Sequence, residues 1–145
     1  MFYRIALLIF VGVSTSVTSA ADESAESGHE EIVYSYVAAF NAHNVEAMLE
    51  MVTDDVQWLT IGGDKIVTET GNKEELRQGM EGYFESCSTC KSNLIHVFST
   101  GTRVSALEEA SFETAQGSQK QQSISIYEFS GNLIKRVYYF AGENL

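Results

Sequence analysis

Ser123-Ile124-Ser125-Ile126-Tyr127-Glu128-Phe129-Ser130-Gly131-Asn132-Leu133-Ile134-Lys135-Arg136-Val137-Tyr138-Tyr139-Phe140 reads as two strands joined by a tight turn. From Ser123 to Tyr127 small polar and apolar residues alternate, the two-residue period of a strand with two unlike faces. Ser130-Gly131-Asn132 interrupts it, and Leu133 to Phe140 resumes a run rich in β-branched and aromatic residues. Gly in a short link between two such runs marks a hairpin. The punctuation recurs upstream: Gln116-Gly117-Ser118 separates Arg103–Thr114 from Gln121–Phe129, and Gly101-Thr102 separates Leu94–Ser99 from Arg103. The second half of the chain therefore reads as four antiparallel strands.

The first half has a different rhythm. Ser27-Gly28-His29-Glu30 fits a capping box, and Ile32, Val33, Tyr36, Val37 and Phe40 follow at helical spacing. Asn44 can cap a short second helix with Val45, Met48, Leu49 and Val52 inward, ended by Asp54-Asp55. Val56–Ile61 and Ile66–Thr68 read as short strands about the turn Gly62-Gly63-Asp64. Asn72-Lys73-Glu74-Glu75 opens a third helix carrying Leu76, Met80, Tyr83, Phe84 and Cys87 on one side. Three amphipathic helices above one sheet make an α+β domain, with the sheet curving over them where it is twisted and bulged.

Composition narrows the function classes. The 145 residues carry 9 Lys plus Arg against 20 Asp plus Glu, a formal charge of −11. That is one domain's length, with 44% hydrophobic residues to form a core. So acidic a surface repels phosphates, which excludes nucleic-acid binding. A nucleotide loop, a metal-ligand cluster and a nucleophile elbow are missing from the sequence, so neither a bound cofactor nor a metal is expected.

Residues 1–21 have the layout of a secretory signal peptide. Arg4 precedes the apolar run Ile5–Val13, and Ser19-Ala20-Ala21 supplies small residues before Asp22. The run is about half the roughly 20 residues that span a bilayer, so no stable membrane insertion is expected after cleavage. An uncleaved anchor is the competing possibility. Residues 22–29 read as a flexible leader, and the expected location is exported, periplasmic or secreted.

Tyr36-Val37-Ala38-Ala39-Phe40-Asn41-Ala42-His43-Asn44 on the first helix, followed by this order of elements, resembles the nuclear transport factor 2-like superfamily, in its SnoaL-like and ketosteroid-isomerase-like branch. Met51–Val56 resembles that family's helix-to-strand corner, Thr70–Leu76 the start of its third helix, and Tyr127–Ile134 its last hairpin. The resemblance implies a cone-shaped, cystatin-like fold over residues 30–145. Three helices would pack on a curved mixed or antiparallel sheet around a mostly apolar pocket. Members with isomerase, cyclase, hydrolase and no chemistry share this fold, so it assigns no activity.

The resemblance also places the isomerase residues. Tyr36 matches the helix tyrosine that donates to a developing enolate. The base position falls on Thr60 and the second carboxyl position on Ser125. A hydroxyl cannot take an α-proton as a carboxylate does, so steroid isomerisation is not expected. If Thr60 and Ser125 face inwards, alternation brings Trp58, Ser123 and Tyr127 with them. Phe40 and Tyr83 join the expected lining from the helices. Such an aromatic and hydroxyl pocket suits a small apolar or weakly polar organic molecule.

Three residues are candidates for chemistry: Tyr36, His96 and Glu108. His96 is either an acid or base of the site, or an ordinary histidine on the outer face or bonded to a carbonyl. Glu108 and Glu109 point to opposite faces, so one of them is either a buried acid or base, or solvated at the sheet rim. Tyr36 is either a pocket donor or a core aromatic with a polar partner. Cys87-Ser88-Thr89-Cys90 is read as a local disulfide, with a reactive pair or a metal site as alternatives. Three functions remain open: a ligand-binding domain, a cofactor-free enzyme using Tyr36 with His96 or the inward Glu, and a homodimerisation module. The last would use Ile124, Ile126, Tyr138 and Phe140 on the outer sheet face.

Overall fold

The computed structural model describes residues 20–144. The expected signal run lies outside them, apart from its last two residues. Among the described residues the fold has three helices, α1 (Ala20–Asn41), α2 (Val45–Glu50) and α3 (Lys73–Ser86), and seven strands. The strands are β1 (Val52–Gly62), β2 (Lys65–Thr70), β3 (Lys91–Thr100), β4 (Arg103–Thr114), β5 (Gly117–Ser130), β6 (Leu133–Phe140) and the short β7 (Glu143–Asn144). The main sheet runs β2-β1-β6-β5-β4-β3, with β7 on β5. All pairings are antiparallel except β1 with β6, so the sheet is mixed.

Two boundaries differ from the sequence reading. The stretch 22–29, expected as a flexible leader, is helical, because α1 starts at Ala20. Ala20, Ala21, Glu23, Ala25 and Glu26 are good helix formers at the start of α1, and a single Gly28 costs a helix only about 1 kcal/mol. Ser27 is therefore an interior position rather than a cap, and the Glu30 carboxylate accepts from Ser99 Oγ at 2.8 Å instead. The second difference is Asp54-Asp55, which belongs to β1 instead of ending α2. The short helix stops at Glu50, where the Met51 amide turns back to the Met48 carbonyl.

The other caps follow their sequence signals. Asn44 Oδ1 accepts from Ala47 N at 3.1 Å, and Asn72 Oδ1 accepts from Glu75 N at 2.9 Å. Glu75 reaches back to the Gly71 amide at 2.7 Å, closing the third helix's first turn. Gly131 opens the β5–β6 turn with φ +58°, a conformation nearly reserved for glycine.

The cross-strand register sorts the sheet into inward rows. Thr70, Trp58, Val137 and Tyr127 are successive partners across β2, β1, β6 and β5. Thr60, Tyr139, Ser125, Ala106 and Val97 form the next row. Leu94, Glu108 and Ser123 form another, and Ser92, Ala110 and Gln121 the one beyond. Helix α1 packs Val33, Tyr36, Val37 and Ala39 on these rows, α2 adds Met48 and Leu49, and α3 adds Leu76 and Phe84. Register shifts at Leu94/His96, Trp58/Leu59 and Glu128/Phe129 bend the sheet around the helices.

Candidate functional site

The curved sheet and the helices enclose a cavity of about 680 Å³. That volume lies within the roughly 300–1,000 Å³ of sites for drug-sized molecules. Of the seven residues expected to line it, Tyr36, Phe40, Trp58, Thr60, Tyr83 and Tyr127 do so. Aromatic contacts hold its walls: Phe40 lies 5.9 Å from Tyr83, and Trp58 6.2 Å from Tyr139, centroid to centroid. Tyr83, Glu69 and Lys91 line the cavity and are exposed, which places its mouth beside α3, β2 and the start of β3.

Ser125 does not line the cavity. It is wholly buried behind the wall, and its hydroxyl donates to Glu108 Oε1. The reason is length: a serine on that row is too short to pass the neighbouring carboxylate, so it serves that carboxylate from behind.

Glu108 is the polar centre. It lines the cavity and is 7% exposed, so it is the inward, buried member of its pair rather than a solvated rim residue. Glu109 faces the other way and pairs with Lys120 at 2.7 Å. Tyr127 Oη donates to Glu108 Oε1 at 2.7 Å, and Ser92 Oγ donates to Oε2 at 2.8 Å. An ionised carboxylate offers about four lone-pair positions. Two donors fill Oε1 and one is on Oε2, which leaves one acceptor position on Oε2, the oxygen on the Ser92 side.

Tyr36 is the second polar feature. Its ring meets Tyr127 edge-on with centroids 6.2 Å apart, and its buried hydroxyl has no partner among the described residues. Burial, reinforced by the Glu108 charge, raises its pKa well above the ordinary phenol value. The same two causes raise Tyr127, with its hydrogen bond to Glu108 adding to them. Both phenols stay protonated and act as donors: Tyr127 to Glu108, Tyr36 to whatever acceptor reaches it. Thr70 Oγ1 is likewise buried, unpartnered and part of a residue that lines the cavity. An unpaired buried hydroxyl costs about 1–3 kcal/mol, so these two stand out in the wall.

His96 is not at the site. It is exposed on β3, and no cavity-lining residue of that strand lies beyond Ser92. Strict alternation would have carried Ser92, Leu94 and His96 inward together. The register shift between Leu94 and His96 inserts one residue, so Val97 turns in and His96 turns out.

Cys87 and Cys90 lie at disulfide distance, S–S 1.95 Å, and both line the cavity. Cys87 caps the C-terminus of α3, where the helix dipole opposes a thiolate. Among the described residues no group of three or more His, Cys, Asp or Glu side chains gathers as a metal site would, and no helix is long and apolar enough to cross a membrane.

Sequence reasoning missed Ser92, Thr70, Ala110, Phe112 and Tyr139 as lining residues. Tyr139 had a usable signal, as the alternation partner of Val137, and Ala110 and Phe112 share the parity of Glu108 on β4. Ser92 and Thr70 depend on the register of β3 and β2, which the sequence leaves open.

Comparison with known proteins agrees with this architecture. The SnoaL-like domain model matches residues 33–137, from α1 into β6. Among curated protein sequences none matches the chain. An uncharacterized cystatin-fold protein from Novosphingobium aromaticivorans is similar in structure, with TM-score 0.68, 20% identity, and coverage of 78% of this chain and 97% of that one. Bal32a from a soil-derived mobile gene cassette gives TM-score 0.69, 19% identity, and coverage of 79% and 88%. TerC, co-crystallized with polyporic acid, gives 0.65, 14% identity, and 77% and 89%. At these identities the structural likeness speaks to the fold, and the sequence match over most of the chain speaks to descent. The chain belongs to the SnoaL-like domain family and has its nuclear transport factor 2-like, cystatin-like fold.

Proposed function

We propose that this domain binds a small, largely apolar organic molecule inside the cone, with the molecule's hydrogen-bond donor directed at Glu108. One observation carries the reading: aromatic and aliphatic walls around about 680 Å³ converge on a single buried carboxylate with one acceptor position unused. Apolar walls supply affinity by burial and one placed polar group supplies orientation. TerC, of the same fold, was co-crystallized with polyporic acid, which makes that compound a rational first probe. The test is a thermal-shift and native mass spectrometry screen of phenols, aryl ketones and polyporic acid. A binder at 100 times its Kd adds about 2.7 kcal/mol of stability. Retention of no compound by the folded protein, at any concentration up to solubility, would overturn the reading.

A second reading is favoured by the pairing of Tyr36 with Glu108: a cofactor-free enzyme that moves a proton next to a carbonyl. Glu108 Oε2 would accept the proton while the Tyr36 phenol, held neutral, donates to the oxygen that gains charge. Of the two partners that the sequence offers Tyr36, His96 or an inward Glu, this reading uses Glu108. Exchange of α-protons of bound aryl ketones into deuterated water, lost in Glu108→Gln while binding persists, is the expected signature.

Two further proposals concern setting. The amino-terminal sequence and the cysteine pair support an exported protein, and mass spectrometry of the exported form should find a start near Ala21 or Asp22. The outer sheet face supports a homodimer. There Ile124 and Phe140 are exposed, and Ile126 and Tyr138 rim a shallow hollow of about 210 Å³.

A further inference from the structure

We infer that the ligand is two-ended, with a flat body between the Glu108 pole and a second polar contact made by Thr70; this rests on the ligand-binding reading above. Thr70 is the last residue of β2 and the one buried position in that strand. Five exposed residues precede it, and of these Glu69 lines the cavity only at its open mouth, so β2 is buried at this point alone. Its methyl group faces α3: a Cβ added at Gly79 would stand 3.5 Å from Thr70 Cγ2. The hydroxyl takes no part in that contact and has no partner, although the residue is 8% exposed and lines the cavity.

The register sets how many strands separate Thr70 from Tyr127, the donor to the carboxylate. Thr70 pairs with Trp58, Trp58 with Val137, and Val137 with Tyr127, the donor to Glu108. Three strand steps of about 4.8 Å give roughly 14 Å along the curved sheet, and less across the hollow. Trp58 lies between the two poles, with Thr60 on the neighbouring row. A flat conjugated molecule with a weakly acidic hydroxyl at one end and a second oxygen at the other matches this order of donor, aromatic wall and acceptor. A molecule with one polar end leaves Thr70 unanswered.

The probes are two rigid pairs: 2-naphthol against 2,6-dihydroxynaphthalene, and 4-phenylphenol against 4,4′-dihydroxybiphenyl. Each is titrated by calorimetry into the full chain, into Thr70→Val and into Thr70→Ser. In at least one pair the second hydroxyl should tighten binding by about tenfold, equivalent to about 1.4 kcal/mol. Thr70→Val should abolish that gain and leave the single-hydroxyl probe within about twofold, and Thr70→Ser should keep it. A gain that survives Thr70→Val, or no gain in either pair while the single-hydroxyl probes bind, overturns the inference and leaves the ligand-binding reading standing. Failure of all four compounds to bind overturns both.

Discussion

Tyr127 Oη donates to Glu108 Oε1 at 2.7 Å, although neither residue is the other's strand partner. Tyr127 pairs with Val104 and Glu108 with Ser123, so the bond runs diagonally along the β4–β5 ribbon, past Ser125, which donates to the same oxygen. A phenol is long enough for that diagonal. The carboxylate is thereby held by groups from two strands besides its own, since Ser92 comes from β3. This is a built polar network in an otherwise apolar wall.

Substitution at Glu108 should therefore destabilise in a graded way. Gln keeps one oxygen for Ser125 and Tyr127 and turns its amide to Ser92, whose hydroxyl can rotate to accept. The expected loss is about 1–3 kcal/mol for Glu108→Gln. Ala strands the buried hydroxyls of Ser125 and Tyr127 and the half-buried one of Ser92 and opens a hole, so Glu108→Ala should lose more. Urea midpoints ordered wild type, Gln, Ala are expected. A wild-type midpoint in Glu108→Ala would mean that the network contributes nothing.

Alkaline pH should unfold the protein through its buried phenols. Burial and the Glu108 charge raise Tyr36 and Tyr127 above the unfolded value of about 10. Above that pH the unfolded chain loses two protons that the folded chain keeps, so stability falls as pH rises. Two such groups give a slope approaching about 2.7 kcal/mol per pH unit, and the contribution is complete below pH 10. Tyr127→Phe should halve the slope. Phenolate absorbance from the two residues should appear with unfolding and not before it.

How much of this was legible in the chain depends on period and register. The β5 alternation alone placed Ser123, Ser125 and Tyr127 on the buried face, and the helical stripe placed Tyr36 and Phe40. Period survives a small error in strand ends. What alternation cannot carry is a bulge, because one extra residue reverses every side chain beyond it. That is why alternation left His96 open between a role at the site and the outer face. Glu108 and Glu109 were known to face opposite ways, but which of them is buried depends on Ser92 and Tyr127 arriving from other strands. Thr70 was invisible because a single buried residue has no period.

His96→Ala is the direct consequence. The side chain is exposed and lies past the bulge, so its loss should change neither ligand affinity nor any α-proton exchange. Stability should stay within about 0.5 kcal/mol, as for surface substitutions generally. A tenfold loss of binding or exchange would return His96 to the site.

The Cys87–Cys90 link should matter more to the cavity than to global stability. It closes a loop of very few residues, which limits its entropic contribution to about 2 kcal/mol. Both residues line the cavity where α3 meets β3. Cys87→Ser with Cys90→Ser should lower the urea midpoint slightly while weakening any identified ligand severalfold, as the wall gains freedom. Equal affinity in the double variant and the wild type would show that the corner is rigid without it.

The outer sheet face yields the last prediction. Ile124 is 52% exposed on β5 and Phe140 38% exposed on β6, and beside them on the same strands Ile126 pairs with Tyr138. Beside this apolar strip runs a cross-strand ladder, Arg103–Glu128–Arg136, in which Glu128 lies 3.4 Å from each guanidinium. A face with apolar centre and both charge signs at its edge can meet its own copy about a two-fold axis, since each strip then covers the other. Light scattering after size exclusion should report twice the chain mass for wild type and the single chain mass for Ile126→Glu. The cavity is on the opposite side of the sheet, so the variant should bind the same probes with unchanged affinity. Wild type running as a monomer at tens of micromolar would remove the dimer proposal and leave the cavity reading untouched.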